Sequence, residues 1–221
     1  MQRIFDLVFS ASALIILTPI LLVLIFILKF TGEGEIFFLQ PRVGKDKKLF
    51  KLFKFATMLK DSPKIGTGTI TLDNDPRILP FGKFLRKTKL NELPQLINVF
   101  KGEMSVIGPR PQTERCFNAF PISSQNSIIM IRPGLSGIGS IVFRDEELMM
   151  NTDNDPDKFY DEIIMPYKGN LEEWYSLNNS IKNYFILIFL TILIVLAPSK
   201  KLIWKVFKNL PKPPAELNPW I

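Results

Sequence analysis

The 221-residue chain contains no histidine and only one cysteine, Cys116. The lack of histidine excludes Ser-His-Asp and Cys-His nucleophile systems and histidine general bases. The single cysteine excludes an internal disulfide. Without a CxxC pair or a Cys/His cluster the sequence offers no zinc site, which fits a reducing, cytosolic setting. Catalysis by this chain would therefore have to use carboxylates, lysine, arginine, hydroxyl groups or a metal ion held by oxygen ligands.

The composition combines a hydrophobic share of 47% with a formal net charge of +7. This pairing is unusual for a soluble domain and is typical of a protein that rests on anionic lipid. The length suits one domain with its own core and one or two appended elements. A lipid bilayer is therefore the first predicted partner. No stacking aromatics lie in a recognised RNA or DNA module, so no nucleic-acid partner is expected.

An uncharged run of 22 residues, from Leu7 to Leu28, is long enough for an apolar helix to cross a hydrocarbon core of about 30 Å. It exceeds the apolar region of a typical signal peptide and is followed directly by Lys29, so we expect it to be retained. Pro19, which follows Thr18, removes a helical hydrogen bond and predicts a kink or break. A straight span and a helix-break-helix hairpin both fit this pattern, and the residues alone favour the straight span.

Between residues 40 and 60 the chain carries seven cations and one acid. We interpret most of this basic belt as a solvated face near anionic headgroups, with a part of it receiving phosphates. Strand-like residues at 35–39 and 48–55 lie on either side of Pro41 and Gly44, which predicts a β-hairpin within the belt.

Two helices are predicted after the hairpin, from Pro80 to Lys87 and from Glu92 to Lys101. Asn91 would be the N-cap of the second helix and Gly102 its C-terminal stop. The apolar run 184–197 is too short for an ordinary span, and lysines alternate with apolar residues after it, so residues 181–208 are predicted to form an interfacial amphipathic helical region. The proline-rich tail, 209–221, is expected to be extended and poorly ordered.

The residues best suited to chemistry lie around Glu92 and Arg110. In the first turn of a helix, Glu92 would be kept ionised by unpaired N–H groups and the helix dipole, which also attract phosphate. Arg110 lies between two prolines, so a stiff, extended backbone presents its planar fork, which suits a pyrophosphate. A turn with a surface ion pair is the competing interpretation of this Gly-Pro-Arg-Pro sequence.

Asp-Asn-Asp-Pro occurs twice, at 73–76 and 153–156. Paired acids of this kind hold Mg²⁺ or Mn²⁺ in some nucleotide-sugar enzymes through oxygen ligands. Asp and Asn before proline are also common turn formers, and we interpret Asp153, Asp155 and Asp73 as turn residues.

The order of several longer motifs resembles one known family. They are Arg3-Ile4-Phe5-Asp6-Leu7, the segment from Lys54 to Met58, Asp75-Pro76-Arg77, the segment from Gly82 to Thr88, the segment from Asn91 to Leu96, Gly108-Pro109-Arg110-Pro111 and the segment from Arg132 to Gly137. Motifs of this length in this order are highly specific. Over most of its length, to about Ala197, the chain resembles the bacterial sugar transferase family of monotopic phosphoglycosyl transferases.

This resemblance implies an α+β, mainly helical monotopic protein of the bacterial inner membrane. Residues 1–30 would form a re-entrant helix broken at Thr18-Pro19, which replaces the straight span, and residues 31–180 a small cytosolic catalytic domain facing the cytoplasm. It implies that an active-site carboxylate attacks the sugar-proximal phosphate of a UDP-sugar, releases UMP and passes the phospho-sugar to polyprenyl (undecaprenyl) phosphate, with Mg²⁺ present. This is the first membrane step of surface polysaccharide or glycoconjugate synthesis. A homodimer is left open.

The site residues are assigned with the help of this resemblance. Glu92 is the carboxylate nucleophile or a Mg²⁺ ligand, and Asn91 is a hydrogen-bonding neighbour. The predicted substrate contacts are Arg86, Arg110, Gln95, Lys54, Arg77 and Arg132.

Three departures from the family pattern keep other functions open. Most relatives have an aspartate nucleophile where this chain has Asn91, and an Arg-Ser pair where it has Ala56-Thr57. Many relatives also have a Gln-Val-x-Gly-Arg sequence, which residues 139–147 of this chain do not match. One alternative is a catalytically silent family member with a structural or assembly role. Another is a metal-dependent glycosyltransferase that uses Asp73 and Asp75 and releases UDP.

Overall fold

The computed structural model describes residues 1–65, 71, 75–149, 155–196 and 202–220, and most of them lie in helices. The helices are α1 (Gln2–Phe30), α2 (Pro80–Lys87), α3 (Gln95–Lys101), α4 (Glu114–Asn118), α5 (Ile122–Ile128), α6 (Ile138–Val142), α7 (Glu146–Met149), α8 (Pro156–Phe159), α9 (Met165–Leu177), α10 (Ile181–Leu196) and α11 (Leu202–Val206). The strands are β1 (Phe37–Val43), β2 (Leu49–Phe55), β3 (Ser105–Ile107) and β4 (Gly134–Ser136). The predicted mainly helical α+β class is confirmed.

The first sheet is the hairpin of β1 and β2, which confirms the predicted hairpin. The strands pair antiparallel, beginning with Phe37 opposite Phe55. Buried Asn98 of α3 ties this hairpin to the helix, because its Oδ1 accepts from the Phe53 N–H at 3.0 Å and its Nδ2 donates to the Lys51 carbonyl oxygen at 2.8 Å. The free edge of β2 is thereby held against α3.

The second sheet pairs β3 with β4 in parallel and brings two glycine-proline motifs into backbone contact. A Cβ atom on Gly134 would lie 2.1 Å from the Gly108 nitrogen, and one on Gly108 would lie 2.4 Å from the Arg132 carbonyl oxygen. Because no side chain fits between these strands, both positions require glycine. The contact fixes the start of the loop that carries Arg110.

The N-terminal end of α1 is bound to the rest of the chain by two charged residues. Arg3 donates to the carbonyl oxygens of Val99 and Phe100 at 2.6 and 2.8 Å, at the C-terminal end of α3, where a cation is favoured. Asp6 is 2% exposed. Its Oδ1 accepts three hydrogen bonds of 2.9 Å, which come from Ser105 Oγ, the Val106 N–H and the Tyr184 hydroxyl.

The C-terminal end of α1 packs on the same globular part. Leu24 and Leu28 are buried and cluster with Phe55 of β2 and Leu85 of α2. Between the two attached ends, large apolar side chains are exposed, among them Ile15, Ile16, Ile20, Leu22 and Val23.

The predicted break at Thr18-Pro19 is not confirmed, because both residues lie inside α1, which continues as one helix from Gln2 to Phe30. Thr18 Oγ1 donates to the Leu14 carbonyl oxygen at 2.7 Å. The helical hydrogen bond that Pro19 does not donate would have gone to the Ile15 carbonyl oxygen, and apolar helices tolerate such a loss. By length and composition α1 could cross a membrane.

The predicted helix from Pro80 to Lys87 is confirmed as α2, and Gly102 ends α3 as predicted, with a φ of 90°. The predicted start of the second helix is wrong. Helix α3 begins at Gln95 rather than Glu92, with Pro94 as the residue before it. Proline has no N–H to donate within a helix, so it fits best at the start.

As a consequence, Asn91 is not the N-cap of α3 and Glu92 is not in its first turn. Both lie in a 3₁₀ turn, Leu90–Glu92, that precedes the helix. Lys89 enters this turn in the left-handed conformation, with a φ of 59°. The turn, rather than a helix N-terminus, aims the two side chains.

The C-terminal region contains α10, a 16-residue apolar helix that extends the predicted short run, and α11. One side of α10 is buried in the main core, through Tyr184, Leu187, Leu190 and Ile194, while Phe185, Phe189, Ile192 and Val195 are exposed. The tail differs from the poorly ordered segment that was predicted, because Leu210 and Leu217 are 5% and 0% exposed and pack in that core. Lys200 and Lys201 of the predicted amphipathic region lie outside the described residues.

Candidate active site

A cleft of about 760 Å³ opens between the β-hairpin, the segment from α2 to the 3₁₀ turn, and the region of α6 to α9. Its lining is strongly positive, with nine lysines and arginines against three acids. The cations are Arg42, Lys54, Lys83, Arg86, Lys87, Lys89, Arg110, Arg144 and Lys168, and the acids are Glu92, Asp145 and Glu146. A concave surface with this excess of positive charge favours a ligand with several negative charges.

The carboxylate of Glu92 lines the cleft and is surrounded by cations. Its Oε1 accepts from Arg110 Nη2 at 2.8 Å, and the two side chains are 17% and 28% exposed. Burial raises the pKa of Glu92, but the charges of Arg110 and Lys54 and the hydrogen bond from Arg110 outweigh it, so the pKa lies well below its usual range. Glu92 is therefore ionised at neutral pH.

Lys54 and Arg42 add two further cations beside this pair. Burial lowers the pKa of Lys54 to about 7, Glu92 acts in the opposite direction, and the neighbouring arginines lower it further. Burial also lowers the pKa of Arg42 to about 10, with the charge of Arg110 acting in the same direction. An anion bound here would raise the pKa of Lys54 and so favour its charged form, whereas Arg42 is charged at neutral pH in either case.

Arg42 is a site residue that the sequence reasoning missed, because it was grouped with the basic belt. Its Nη1 donates to the Pro111 carbonyl oxygen at 3.2 Å and its Nη2 to Gln40 Oε1 at 2.5 Å, while Nε has no hydrogen-bond partner among the described residues. The signal was present in the sequence: Phe38, Gln40 and Arg42 alternate along one face of β1, and all three line the cleft.

Asn91 is 6% exposed and lines the cleft beside Glu92. Its Oδ1 has no hydrogen-bond partner within the described part of the chain. A buried amide oxygen is rarely left without a partner, so the position indicates a group that the cleft receives from outside.

A second set of charged residues also lines the cleft. Lys168, only 1% exposed, donates to both carboxylate oxygens of Glu146 at 2.9 Å. Arg144 also lines the cleft, and its Nη1 donates to the Ile194 carbonyl oxygen in the last turn of α10. Arg144 and Glu146 belong to the 139–147 segment that departs from the family pattern.

The predicted site residues thus divide into two groups. Glu92, Asn91, Arg86, Arg110 and Lys54 meet in the cleft. The remaining three, Gln95, Arg77 and Arg132, do not line it.

Each of these three lies in another environment. Gln95 is 2% exposed in the first turn of α3. Exposed Arg132 donates to the Gly102 carbonyl oxygen at 2.8 Å. Arg77, 4% exposed, is paired with Asp75 at 2.5 Å and also donates to the carbonyl oxygens of Ser62 and Ile65 at 3.0 and 2.8 Å.

The two Asp-Asn-Asp-Pro sequences do not form a metal site in the described residues. Asp75 is committed to Arg77, and Asp155 accepts from the Lys158 N–H at 3.1 Å at the start of α8. Asp73 and Asp153 lie outside the described residues. Among the residues that the structure describes, no group of three acidic, histidine or cysteine side chains is close enough to hold a metal ion.

Comparison with known proteins points to enzymes whose substrates carry phosphate, in agreement with the positive charge of the cleft. Residues 1–198 match the family model described as bacterial sugar transferase. The chain is 33% identical, over 210 residues, to an uncharacterized sugar transferase of Haemophilus influenzae, an alignment that covers 89% of this chain and 41% of the relative. It is 35% identical, over 159 residues, to the exopolysaccharide production protein ExoY of Sinorhizobium fredii, covering 66% and 70% of the two chains.

A third relative has an informative name. The UDP-glucose:undecaprenyl-phosphate glucose-1-phosphate transferase of Klebsiella pneumoniae is 38% identical over 144 residues, which cover 63% of this chain and 30% of the relative. The chain therefore spans less than half the length of the Haemophilus and Klebsiella relatives.

Proposed function

Because the chain belongs to the bacterial sugar transferase family, we propose that it transfers a phospho-sugar from a UDP-sugar to polyprenyl phosphate and releases UMP. The Klebsiella relative is named for this class of donor and acceptor. The observation that carries the proposal is the ionised carboxylate of Glu92 at the wall of a cleft lined by nine cations. Covalent phosphoryl transfer needs both features, a carboxylate nucleophile and cations around the phosphates.

In the first step, an oxygen of Glu92 attacks the sugar-proximal phosphorus of the donor. A new P–O bond forms to Glu92, the bond from that phosphorus to the bridging oxygen breaks, and UMP leaves with the electron pair. Arg110 and Arg86 offer planar guanidinium groups to the phosphate oxygens, and Lys54 adds a third positive charge. The Glu92–Arg110 pair then has to loosen as Arg110 turns to the substrate.

In the second step, an oxygen of polyprenyl phosphate attacks the same phosphorus. The bond to Glu92 breaks, and the phospho-sugar remains on the carrier as a diphosphate. A carboxylate with a lowered pKa is a good leaving group, so the cations that weaken Glu92 as a nucleophile favour its release. The product would start a surface polysaccharide or glycoconjugate.

Mg²⁺ is the proposed cofactor, and Asn91 and Glu92, which both line the cleft, would hold it. Asn91 Oδ1 is buried without a hydrogen-bond partner among the described residues, and the carboxylate of Glu92 is adjacent in sequence. Mg²⁺ is commonly held by one or two such groups together with substrate phosphates and water. When bound, the ion would supply positive charge to the diphosphate of the donor.

The attachment of α1 supports a re-entrant topology. A straight helix of 29 residues would be about 44 Å long, more than the thickness of a hydrocarbon core. Both of its ends contact the same globular part, Arg3 and Asp6 at one end and Leu24 and Leu28 at the other. A helix that enters the bilayer with its exposed middle and returns at Pro19 keeps both ends on the cytoplasmic side.

This topology is tested in a Cys116→Ser background by labelling single cysteines introduced by Gln2→Cys and Thr31→Cys, in intact cells and inverted vesicles. Both positions are expected to react only from the cytoplasmic side, and Pro19→Ala is expected to shift the helix toward a true span. Accessibility of position 2 only from outside would exclude the hairpin.

The activity is tested with the full chain in detergent or nanodiscs, a panel of UDP-sugars, polyprenyl phosphate and Mg²⁺. We expect UMP with at least one donor. Release of UDP would instead support the metal-dependent glycosyltransferase, although the Asp75–Arg77 pair argues against a metal at Asp75. An inert wild type that becomes active as Asn91→Asp would identify a silent family member.

A further inference from the structure

We propose that Glu172 of α9 is a positioning residue that sets the place of Arg110 in the cleft by accepting the hydrogen bond of its backbone N–H. This inference deepens the proposed function, because it concerns how the same site holds a phosphate-binding arginine. Glu172 does not line the cleft, and it is 0% exposed.

The contact is a single hydrogen bond between two distant parts of the chain. Glu172 Oε1 accepts from the Arg110 N–H at 3.0 Å. Pro109 and Pro111, on either side, have no N–H, so the Arg110 amide is the only backbone donor of this three-residue stretch. The carboxyl oxygen of Glu172 is therefore the acceptor through which α9 holds the backbone of Arg110.

The carbonyl oxygens of the two prolines are held independently. The Gly134 N–H donates to the Pro109 oxygen at 2.8 Å, and Arg42 donates to the Pro111 oxygen. The first contact belongs to the β3–β4 approach and the second comes from the cleft wall. With the Glu172 bond, the loop is fixed from three directions.

The surroundings of Glu172 are shaped around its carboxyl group. A Cβ atom on Gly139 of α6 would lie 2.3 Å from Glu172 Oε1, so any side chain there would displace the acceptor. Glu172 Oε2 has no hydrogen-bond partner among the described residues. Burying a carboxyl group is costly, and the backbone N–H groups of Arg110 and Gly139 offset that cost here.

Protonation of Glu172 is compatible with this role. Burial raises the pKa of Glu172 to about 7, and the Arg110 N–H and Lys168 act in the opposite direction. A carboxyl oxygen accepts from an N–H whether or not the group is ionised. The position of the acceptor, rather than its charge, is what the loop requires.

This distinction gives a pair of variants with opposite expectations. Glu172→Gln keeps an oxygen at the same distance along the side chain and removes the charge. Glu172→Asp keeps the charge and withdraws the oxygen by one methylene group. We expect kcat/KM for the donor to stay within about threefold in Glu172→Gln and to fall at least about tenfold in Glu172→Asp.

The control is Glu173→Gln, the same change at the next residue, whose carboxylate faces the hydroxyl groups of Ser123 and Ser124 instead. It should leave the kinetics unchanged. In an Arg110→Lys background, Glu172→Asp should cost much less than in the wild type, because the two changes act on one contact. Thermal unfolding of each variant in detergent separates this coupling from a general loss of stability.

Binding of inorganic pyrophosphate to the full chain provides a readout that does not need turnover. We expect Arg110-dependent binding, weakened by Glu172→Asp and kept by Glu172→Gln. If no UDP-sugar yields UMP but this pattern holds, the proposed function fails and the positioning role stands. Wild-type kinetics in Glu172→Asp, equal losses in Glu172→Asp and Glu172→Gln, additive losses with Arg110→Lys, or a wild type that binds no pyrophosphate would each overturn it.

Discussion

Two arginine–carboxylate pairs in this protein have the same chemistry and opposite environments. In the Asp75–Arg77 pair the side chains are 3% and 4% exposed, and Arg77 also donates to two carbonyl oxygens. In the Glu92–Arg110 pair the side chains are 17% and 28% exposed and face a cleft with further cations. The first pair is closed around its own partners, whereas the second pair can exchange its partner for a phosphate. Similar short motifs therefore carry a structural role in one place and a candidate chemical role in the other.

The largest effect should come from removing the open carboxylate. We expect Glu92→Gln to lower the rate of UMP release by at least about a thousandfold, because the nucleophile is lost. Folding should be little affected, because Arg110 remains accessible to water in the cleft. The donor-dependent mass increase on the intact enzyme should also disappear.

Asn91→Asp is the matched change for this experiment, since it adds a carboxylate one residue away. It should retain or raise activity, because an aspartate is the usual nucleophile of the family that the motifs resemble. If Glu92→Gln stays active and a phospho-sugar adduct maps to another residue, the assignment of Glu92 is wrong.

The second largest effect should come from breaking the closed pair. Removing one partner of a buried ion pair leaves an uncompensated charge, so Asp75→Asn should cost about 3–5 kcal/mol of stability. This corresponds to a fall in Tm of roughly 10 °C for a domain of this size. Thermal unfolding in detergent measures it, with Asp61→Asn, whose carboxylate pairs with Lys64 at the surface, as the control.

The contrast between the two pairs would be wrong if Asp75→Asn lost activity rather than stability. An unchanged Tm in Asp75→Asn would show that the closed pair does not hold the fold. Full stability with lost UMP release in the same variant would place Asp75 in the chemistry.

A smaller effect is expected from changing the geometry of the open pair while keeping its charge. Arg110→Lys replaces a planar fork by a single ammonium group, which does not reproduce two parallel hydrogen bonds to phosphate. We expect kcat/KM to fall at least about tenfold, or about 1.4 kcal/mol of transition-state stabilisation. Wild-type kinetics in this variant would indicate that Arg110 serves only the turn.

The sequence predicted the elements whose signals are local. The hairpin, α2 and the stop at Gly102 follow from strand alternation, proline at a helix start and a glycine in the left-handed conformation. The predicted start of α3 at Glu92 is wrong, because Asn91 followed by a carboxylate resembles a capping sequence, whereas the helix begins after Pro94, which has no N–H to donate. That error changed the reason for the low pKa of Glu92, which is caused by neighbouring cations rather than by a helix end.

The sequence predicted site residues only within motifs to which the family resemblance assigns a role. Arg77, Arg86 and Arg110 are all predicted substrate contacts, and only the structure shows that Arg77 is buried against Asp75 while the other two line the cleft. Glu172 carried no signal in the sequence, because its partner is a backbone N–H 62 residues away. Such contacts depend on how α9 packs against the loop, which local patterns do not determine.

The smallest effect should come from the pH dependence of donor binding. Lys54 has a pKa lowered to about 7, so it is charged below pH 7 and loses its charge as the pH rises through that value. The diphosphate of a UDP-sugar keeps its charge over the same range. The donor should therefore bind more weakly at pH 8.5 than at pH 6, by about threefold, or about 0.6 kcal/mol, since the arginines of the cleft stay charged.

Donor binding without the carrier measures this, because the carrier phosphate itself titrates near pH 6. Lys54→Arg keeps its charge at every pH and should remove the dependence. If the dependence survives in Lys54→Arg and disappears in Glu172→Gln, the titrating group is Glu172, whose pKa is also about 7.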